Sequence, residues 1–486
     1  MAAQATEKLA RPTARLVREA LYRRLFKGGT SERSVGGEIN KWLKDSRRFK
    51  KWDVGKSVKD LRKRKLFNPA LKLLETATRR GMNLTVSDQA IHLDLISKTK
   101  GIVAAEKYFM DLPEPSKNHL SYGALLNCYC KEKMTENAEA LLEKMKELNF
   151  ASSPMEYNSL MTLYSETGKP EKIPAVIQDM KANEVMPDVF SYNVWMRSLA
   201  AVGDIPGVER VLDEMKRDGR VGADWTTYSN LASIYVDAGM NDKAEKALKE
   251  LENRMDLHCL PAFQYLITLY GRTGNLVEVY RVWRSLKLAF PKTVNLSYLN
   301  MIQVLVKLGD ISGAENCFKE WEAGCSTYDI RLPNVLIGAY AKANRLRKAE
   351  AMRERARKRG AAPNTKTWEI FADYYLRTKQ IDEVVKCIEN AISASRKSVK
   401  VKWLPTKETV EAVMTYFEEQ KDVDGAENFF EILKKVECVD SAVYESLIRT
   451  YFVAGKNSPA MRRRLKMENI EVAPEAEKLL DTVCSQ

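Results

Sequence analysis

Residues 154–188 read PMEYNSLMTLYSETGKPEKIPAVIQDMKANEVMPD, and this stretch contains two amphipathic segments separated by a short turn. The first segment, YNSLMTLYSET at 157–167, and the second, EKIPAVIQDMKAN at 171–183, both place apolar residues at helical spacing. Between them lies Gly168, a residue type that adopts the left-handed conformation of a tight turn without steric cost. The stretch therefore predicts a pair of helices joined by a glycine turn.

The same turn residue recurs along the chain at a nearly constant spacing. The series is Gly168, Gly203, Gly239, Gly274, Gly309 and then Asn344. Its first four steps are 35, 36, 35 and 35 residues long. An alanine series lies five residues further on, at Ala244, Ala314 and Ala349, where small side chains allow two helices to approach closely. A fixed period of this length indicates a stack of helical hairpins, each burying its apolar face on the next.

The spacing also divides the chain. With the glycine taken as the fifteenth residue, about twelve units start near residues 51, 86, 119, 154, 189, 225, 260, 295, 330, 365, 407 and 441. We predict an all-α, right-handed α-solenoid superhelix of about twelve ~35-residue helix-turn-helix repeats. The predicted divisions are an N-terminal extension at 1–50, the solenoid at 51–475 and a C-terminal tail at 476–486, with a loop insertion around 397–407.

The net charge of +14 on these 486 residues is concentrated near the N-terminus. Residues 1–100 contain 25 Lys/Arg and 10 Asp/Glu, whereas the rest contain 54 and 55. A basic end implies a polyanion such as nucleic acid, or a targeting segment. The opening MAAQATEKLARPTARLVREALYRRLFKGG suits a mitochondrial transit peptide, being amphipathic and rich in Ala and Arg. The acidic Glu7 and Glu19 leave open a basic helix that stays on the mature protein.

Several function classes find no support in the sequence. The eight cysteines form no CxxC pair, which favours free thiols in a reducing compartment. No GxxxxGK[ST] phosphate loop occurs, and no apolar run reaches the length of a membrane span. We therefore expect no enzyme activity, no metal or other cofactor, no membrane association and no small-molecule substrate.

The 35-residue helical-pair period resembles that of the pentatricopeptide repeat (PPR) family, over about residues 51–475. The sequence features that carry this resemblance include Tyr157-Asn158 and Tyr192-Asn193 near the starts of first helices. Further features are the second-helix residues Met145, Met180, Met215 and Met467, and the unit-closing pairs Pro187-Asp188, Pro363-Asn364 and Pro474-Glu475. The alternative is a protein-binding tetratricopeptide array, whose period is about 34 residues.

Within the PPR family the chain looks like the P class of plant mitochondrial arrays, which contain only standard-length repeats. The only histidines are His92, His119 and His258, and none lies in an HxE motif followed by CxxC. The sequence therefore lacks the signature of the zinc deaminase tail of RNA-editing relatives.

The resemblance implies that the fifth residue of a unit and its last residue together contact one RNA base. The candidate pairs in this sequence are Asn158 with Asp188 and Asn193 with Asp224, which look uridine-preferring, and Asn334 with Asn364, which resembles a pyrimidine reader. We expect these side chains at the groove surface; the alternative is that they only cap helices or form turns. Other fifth residues lack this chemistry, namely Gly55, Ala90, Gly123, Leu299, Glu369, Glu411 and Glu445.

The thirteenth residues form a second series, which is basic in seven of the twelve units. Its members are Lys63, Lys98, Lys131, Arg272, Lys307, Lys342 and Arg377. Because positions five, nine and thirteen share a broad helix face, we predict a basic stripe that contacts RNA phosphates. The alternative is that cations near a helix C-terminus only complement the helix dipole. In three consecutive units the thirteenth residue is not basic, namely at Glu166, Ala201 and Asp237.

Weak base reading with strong backbone contact suits an RNA that is already held in a fixed shape. The chain is similar to plant mitochondrial PPR proteins that are built into the mitochondrial ribosome. The resemblance thus implies a non-catalytic scaffold that holds ribosomal RNA beside neighbouring ribosomal proteins in the mitochondrial matrix, and it favours the large subunit. The alternatives are a transcript-specific RNA stability or processing factor, in mitochondria or chloroplasts, and a protein–protein scaffold of tetratricopeptide type.

Overall fold

A computed structural model describes residues 51–396 and 403–484, together with Gly37. The chain divides into two compact units, residues 1–234 and 235–486, which are described in turn. Apart from Gly37, the predicted N-terminal extension and its targeting segment lie outside the described residues, as do residues 397–402 of the predicted insertion.

The first unit is built from paired α-helices. They are α1 (Lys51–Lys63), α2 (Phe67–Arg79), α3 (Val86–Lys100), α4 (Ile102–Met110), α5 (His119–Lys131), α6 (Thr135–Glu147), α7 (Pro154–Glu166), α8 (Ile173–Ala182), α9 (Val189–Ala201), α10 (Ile205–Asp218) and most of α11 (Trp225–Asp237). Besides pairing with their own partners, the first helices from α3 to α9 pack on one another, as α3 does on α5 and α5 on α7. The first helices therefore form one layer of the unit.

The second unit repeats this arrangement. Its helices are α12 (Asn241–Arg254), α13 (Leu260–Arg272), α14 (Leu276–Ala289), α15 (Asn295–Lys307), α16 (Ile311–Gly324), α17 (Arg331–Lys342), α18 (Leu346–Lys358), α19 (Thr365–Arg377), α20 (Ile381–Arg396), α21 (Lys407–Glu419), α22 (Val423–Lys434), α23 (Ser441–Ala454), α24 (Met461–Glu468) and α25 (Pro474–Cys484). First helices again pack on first helices, as α13 does on α15 and α15 on α17. The prediction of an all-α stack of about twelve hairpins is confirmed, since α1–α24 form twelve pairs.

The turns inside the hairpins have the predicted left-handed backbone. Gly274 and Gly309 have φ angles of 80° and 81°, and Asn344 has a φ of 55°. After the glycine, the backbone N–H of Asp310 donates to the carbonyl of Leu305 at 3.0 Å, which satisfies a carbonyl of the last helical turn. In other hairpins a lysine has the same conformation, at Lys65, Lys133, Lys379 and Lys421. The left-handed turn is thus retained in hairpins that have a lysine in place of the glycine, at a steric cost of about 1 kcal/mol per lysine.

Contacts between neighbouring hairpins hold the stack together. The small residues Ala244, Ala314 and Ala349 are fully buried, as their series predicted. In several hairpins a first-helix tyrosine donates a hydrogen bond to a glutamate on the preceding second helix. These pairs are Tyr129–Glu106 (2.8 Å), Tyr164–Glu139 (2.5 Å), Tyr270–Glu252 (2.8 Å), Tyr340–Glu315 (2.7 Å) and Tyr451–Glu427 (2.8 Å). Burial and the adjacent glutamate raise the pKa of Tyr129 and of Tyr451 to about 12, so both hydroxyls stay donors.

The C-terminal end differs from the predicted tail. Residues 474–484 form α25, which packs on α23 and α24, so the boundary predicted at residue 475 falls inside a helix. Ala476, Leu480 and Val483 are the residues that α25 buries. An amphipathic helix with this buried face covers the end of the last hairpin, as capping helices do in repeat proteins.

The described ranges contain neither a membrane-spanning helix nor a metal-binding cluster. No helix there combines the length and apolarity needed to span a membrane. No cluster of three or more His, Cys, Asp or Glu side chains that could hold a metal occurs in the same ranges. The cysteines are free, and burial raises the pKa of Cys130, Cys317 and Cys387 to about 12, which makes their thiols unreactive.

Candidate nucleic-acid interface

Two of the three predicted base-reading pairs are in direct contact. Asn158 lies in the second turn of α7, and Asp188 is the N-cap of α9. The Asn158 amide nitrogen donates to Asp188 Oδ1 at 3.2 Å. The Ser191 hydroxyl, from the third position of the next hairpin, donates to the Asn158 amide oxygen at 2.8 Å. Asp188 also accepts the backbone N–H of Ser191 at 2.8 Å, which completes a capping box.

The pair Asn334 and Asn364 has the same geometry. The Asn334 amide nitrogen donates to Asn364 Oδ1 at 3.1 Å. The Thr367 hydroxyl donates to the Asn334 amide oxygen at 2.8 Å, in the place that Ser191 occupies beside Asn158. Asn364 in turn caps α19 through the backbone N–H of Thr367 at 3.0 Å.

The third pair is joined only through a threonine. Asn193 Nδ2 donates to the Thr226 hydroxyl at 3.4 Å, and that hydroxyl donates to Asp224 Oδ1 at 2.6 Å. Asp224 Oδ1 also accepts the backbone N–H groups of Thr226 and Thr227, so Asp224 caps α11. The amide oxygen of Asn193 is buried, and the described residues provide it with no hydrogen-bond partner.

The expectation that the asparagines lie at the groove surface is wrong for two of them. Asn158 and Asn334 are only 8% and 7% exposed. The reason is that adjacent first helices pack closely enough for the third residue of one hairpin to cover the fifth residue of the preceding one. The capping alternative holds as a structural role for the last residues, because Asp188, Asp224 and Asn364 all cap the next helix.

Capping leaves some hydrogen-bonding capacity for a base. At Asp188 every hydrogen bond in the described part of the chain goes to Oδ1, so Oδ2 keeps its acceptor sites. Asn158 uses one amide hydrogen on Asp188 and keeps the other. One donor beside one acceptor can pair with the O and N3–H edge of uracil. The Asn334–Asn364 pair keeps amide hydrogens on both residues, and these suit the O2 and N3 acceptors of cytosine.

The predicted basic residues all lie in the last turn of a first helix. This holds for Lys63, Lys98, Lys131, Arg272, Lys307, Lys342 and Arg377. Lys63, Lys307 and Lys342 are exposed, and no partner is found for them in the described ranges. The other four have partners within the chain, so the predicted stripe is interrupted.

Two of the paired lysines meet at Asp94, a residue that the sequence did not single out. Asp94 is 6% exposed and lies at the ninth position of α3. It accepts Lys98 Nζ at 2.6 Å and Arg62 Nη2 at 2.9 Å, and Lys131 Nζ lies 3.6 Å away. Burial pushes the pKa of Asp94 up, but the hydrogen bonds from Lys98 and Arg62 and the charge of Lys131 outweigh it, so the pKa is lowered.

The arginines of the series are also engaged. Arg272 forms an ion pair with Asp237, the thirteenth residue of the preceding hairpin. Arg377 Nη2 donates to the carbonyl of Ala341 at 3.0 Å, in the last turn of α17. Arg377 thus complements a helix C-terminus, as the alternative interpretation of the series predicted.

The fifth residue of one hairpin is covered by the chain itself. Trp403, the first described residue after residues 397–402 of the insertion, donates its indole N–H to Glu369 at 2.6 Å. Glu369 also pairs with Lys366 at 2.7 Å. Both oxygens of this carboxylate therefore have partners, which reduces the hydrogen-bonding capacity that Glu369 keeps for a base.

Sequence comparison identifies the protein family to which this repeat arrangement belongs. The model described as PPR repeat family matches residues 155–201, and the PPR repeat model matches 120–150, 190–220, 226–254, 296–323 and 333–360. The Arabidopsis thaliana protein named Large ribosomal subunit protein mL101 (rPPR4) is 63% identical over 97% of this chain and 96% of its own length. The chain belongs to the pentatricopeptide repeat family. A mitochondrial PPR-containing protein of the same plant is 39% identical over 96% of this chain and 86% of its own.

Solved PPR structures are more distant. The crystal structure of PPR10 from maize aligns with 96% of this chain and 76% of its own, at 17% sequence identity and a TM-score of 0.37. The matched PPR segments contain Asn158, Asp188, Asn193 and Asn334, whereas Asp224 and Asn364 fall between or after them. The hydroxyls of Ser191 and Thr367 were missed by reasoning from the sequence, although each stands 33 residues after a fifth-position asparagine.

Proposed function

We propose that this PPR protein is a non-catalytic, RNA-binding component of the plant mitochondrial ribosome that holds ribosomal RNA in the large subunit. The observation that carries the proposal is the 63% identity, over nearly the full length of both chains, with the large-subunit protein mL101. Its partners would be ribosomal RNA and neighbouring ribosomal proteins in the mitochondrial matrix. The division into an extension at 1–50, a solenoid at 51–475 and a tail at 476–486 is kept as part of the proposal, except that α25 continues the packed helices to residue 484.

The interface supports a holding role in two ways. The free lysines Lys63, Lys307 and Lys342 lie on first helices, where they can contact phosphates without regard to sequence. The candidate base-reading pairs are few, and the last residue of each pair also caps a helix, so the pairs supply limited selectivity. We infer that the six pair residues contact bases and that the exposed lysines contact the backbone. No step of this role requires catalysis or a cofactor.

A second candidate is a factor specific for one organellar transcript. The observation in its favour is that Asn158 and Asp188 keep a donor and an acceptor suited to uracil after capping. A transcript-specific factor would depend on this pair and on Asn193 with Asp224. A pure protein scaffold, the third candidate, would bind no RNA.

Sedimentation combined with crosslinking tests these candidates. The tagged full-length chain is expressed in plant mitochondria, and the matrix extract is fractionated on a sucrose gradient with and without EDTA. We expect the chain to follow the large subunit after EDTA separates the particles, and to crosslink to ribosomal RNA. Sedimentation at the top of the gradient with crosslinks to one messenger supports the transcript factor, and absence of RNA crosslinks supports the protein scaffold.

A further inference from the structure

A recurrent contact links the fifth residue of one hairpin with the third residue of the next. The fifth residue carries an amide and the third a hydroxyl, and the two bond to each other. The contacts are Asn158 with Ser191 (2.8 Å), Asn334 with Thr367 (2.8 Å) and Gln264 with Ser297 (3.3 Å). The two positions are 33 residues apart in all three cases, so this register places each fifth-residue side chain against the next third residue.

The hairpin of α5 departs from this rule. Its fifth residue is Gly123, and the residue 33 positions later is Glu156, in the first turn of α7. A Cβ atom on Gly123 would lie 3.9 Å from Glu156 Oε1, so the two residues face each other as in the other hairpins. Here, however, the amide is missing and the facing group is a carboxylate. The place of the fifth-residue amide is therefore empty.

Glu156 is buried and only half satisfied. It is 5% exposed, and its Oε2 accepts the hydroxyl of Ser153 at 2.6 Å. No hydrogen bond to Oε1 is found in the described part of the chain. Ser153 and Glu156 have the spacing of a capping box, but the reciprocal bond from the Ser153 backbone N–H to the glutamate is not formed. The hydroxyl of Ser153 thus accounts for one oxygen of Glu156, and no contact in the described part of the chain accounts for the other.

The missing side chain opens a hollow in the first-helix layer. The hollow has a volume of about 410 Å³. The small fifth residues Ala90 and Gly123 line it, together with apolar side chains such as Leu120 and Met155. Glu156 contributes the carboxylate, and Asn127 contributes an exposed amide. A flat ring with apolar faces and a polar edge fits such a lining.

The charges around the hollow favour a polyanion as the molecule that carries this ring. Arg62 lines the hollow itself, and Lys98 and Lys131 lie beside Asp94, another lining residue. Lys131 keeps a side chain that is 48% exposed. These three cations face two carboxylates, Asp94 and Glu156, so the surroundings of the hollow keep a net charge of +1, which favours an RNA strand over a cationic protein side chain.

Among the RNA bases, guanine matches the carboxylate. Its N1–H and N2–H2 groups are adjacent donors on one edge, and the two oxygens of a carboxylate have acceptor sites for both, even with Oε2 bonded to Ser153. Adenine and cytosine each present a ring-nitrogen acceptor beside their amine, and uracil flanks its N3–H with two carbonyls. Each of these three bases would place a lone pair against the Glu156 carboxylate.

We propose that the hollow over Gly123 is a guanine-selective base slot, in which Glu156 is the specificity-determining acceptor. This inference rests on the proposed RNA-binding function, and it adds a selective contact at a hairpin whose fifth residue has no side chain. The amide of Asn127 lies on the same lining and can donate to the guanine O6.

The test compares oligouridines that carry one central guanosine, inosine or adenosine, with binding to the full-length protein followed by fluorescence anisotropy. We expect the guanosine RNA to bind about tenfold more tightly than the adenosine RNA, with inosine between them because it lacks the N2 amine. Glu156→Gln should bring the guanosine-to-adenosine ratio close to one, because the amide offers one acceptor and one repelling N–H group.

A matched pair of glycine variants separates the slot from general effects. Gly123→Leu places a side chain in the hollow, and its Cβ meets no atom closer than 3.9 Å. Gly55→Leu makes the same change at the fifth position of α1, where a Cβ meets nothing within 4 Å and which does not line the hollow. We expect Gly123→Leu to remove the guanosine preference and Gly55→Leu to keep it, with both proteins showing wild-type helicity by circular dichroism.

The outcomes separate this inference from the proposed function. If wild-type protein binds the three RNAs equally, the slot is refuted and the RNA-binding function stands. If it binds none of them, both are refuted. If argininamide, added as a probe, competes with RNA in the wild type but not in Glu156→Gln, the hollow takes a protein side chain and the guanine assignment is wrong.

Discussion

Three unpaired lysines allow the contribution of phosphate contacts to be measured. Lys63, Lys307 and Lys342 end the first helices α1, α15 and α17, and their replacement by alanine breaks no ion pair of the described structure. Each phosphate contact with a single strand contributes about 0.7 to the slope of log K against log salt, so the triple variant should lose about 2. That slope corresponds to about 100-fold weaker binding at 0.1 M salt and about fourfold at 0.5 M.

The measurement is a salt titration of RNA affinity for the wild type and two triple variants. The control variant replaces Lys249, Lys319 and Lys358, which are exposed on the second helices α12, α16 and α18. It removes the same charge from the other helix of the hairpins. We expect the control to keep the wild-type slope, because long-range effects of exposed charges are screened within about 10 Å at 0.1 M salt.

Two results would refute this reasoning. An unchanged slope in the first-helix variant would mean that these lysines serve only the helix dipole. Equal slope changes in both variants would mean that net charge alone attracts RNA, and that no phosphate track follows the first helices.

Three further predictions concern the same structure. Alanine at all four uridine-type positions (Asn158, Asp188, Asn193 and Asp224) should leave the chain on ribosomal particles in a sucrose gradient. The Tm of the variant should fall, because two helix caps that contribute about 1 kcal/mol each are lost. Release from the particles would contradict the ribosomal assignment. Lys379→Gly and Lys421→Gly, at φ 57°, should each raise the free energy of unfolding by about 0.5–1 kcal/mol in a urea titration, since relief of strain exceeds the added chain entropy. Asp94→Asn should lower the free energy of unfolding at pH 7. Because the pKa of Asp94 in the folded protein lies below 3.8, the difference in unfolding free energy between wild type and variant should persist at pH 5. It should disappear only as the pH falls below 3.8.

Local features of the fold could be predicted from the sequence because one residue decides each of them. A positive φ angle is sterically easy only for glycine and, to a lesser degree, asparagine, so Gly274, Gly309 and Asn344 located their turns without any knowledge of packing. The helix caps follow the same logic, since Asp188 and Asn364 bond to backbone N–H groups only three residues away. Such short-range effects survive in any tertiary context.

Which interface side chains are free, paired or buried could not be predicted in this way. Whether a last-turn lysine is free depends on the helix beside it, which comes from residues about one repeat distant. Lys131 is partly neutralised by Asp94 of the preceding hairpin, whereas Lys307 has no such neighbour in the described structure. The burial of Asn158 likewise depends on Ser191 reaching it from the next first helix. These effects depend on how closely two helices pack, and periodicity alone does not give that distance.

The same contacts favour the proposed function, in which the interface holds RNA more than it selects it. Asn158 and Asn334 each donate one amide hydrogen to the last residue of their own unit and accept a hydroxyl from the next hairpin at the amide oxygen. One amide hydrogen on each remains for a base. Each correctly read base contributes about 1–3 kcal/mol of discrimination. Three candidate pairs and one proposed guanine slot would therefore specify only a short, interrupted RNA sequence. A factor that finds one messenger needs its selectivity from the protein alone. Ribosomal RNA is positioned by the whole particle, so phosphate contacts can supply the affinity while a few base contacts fix the register.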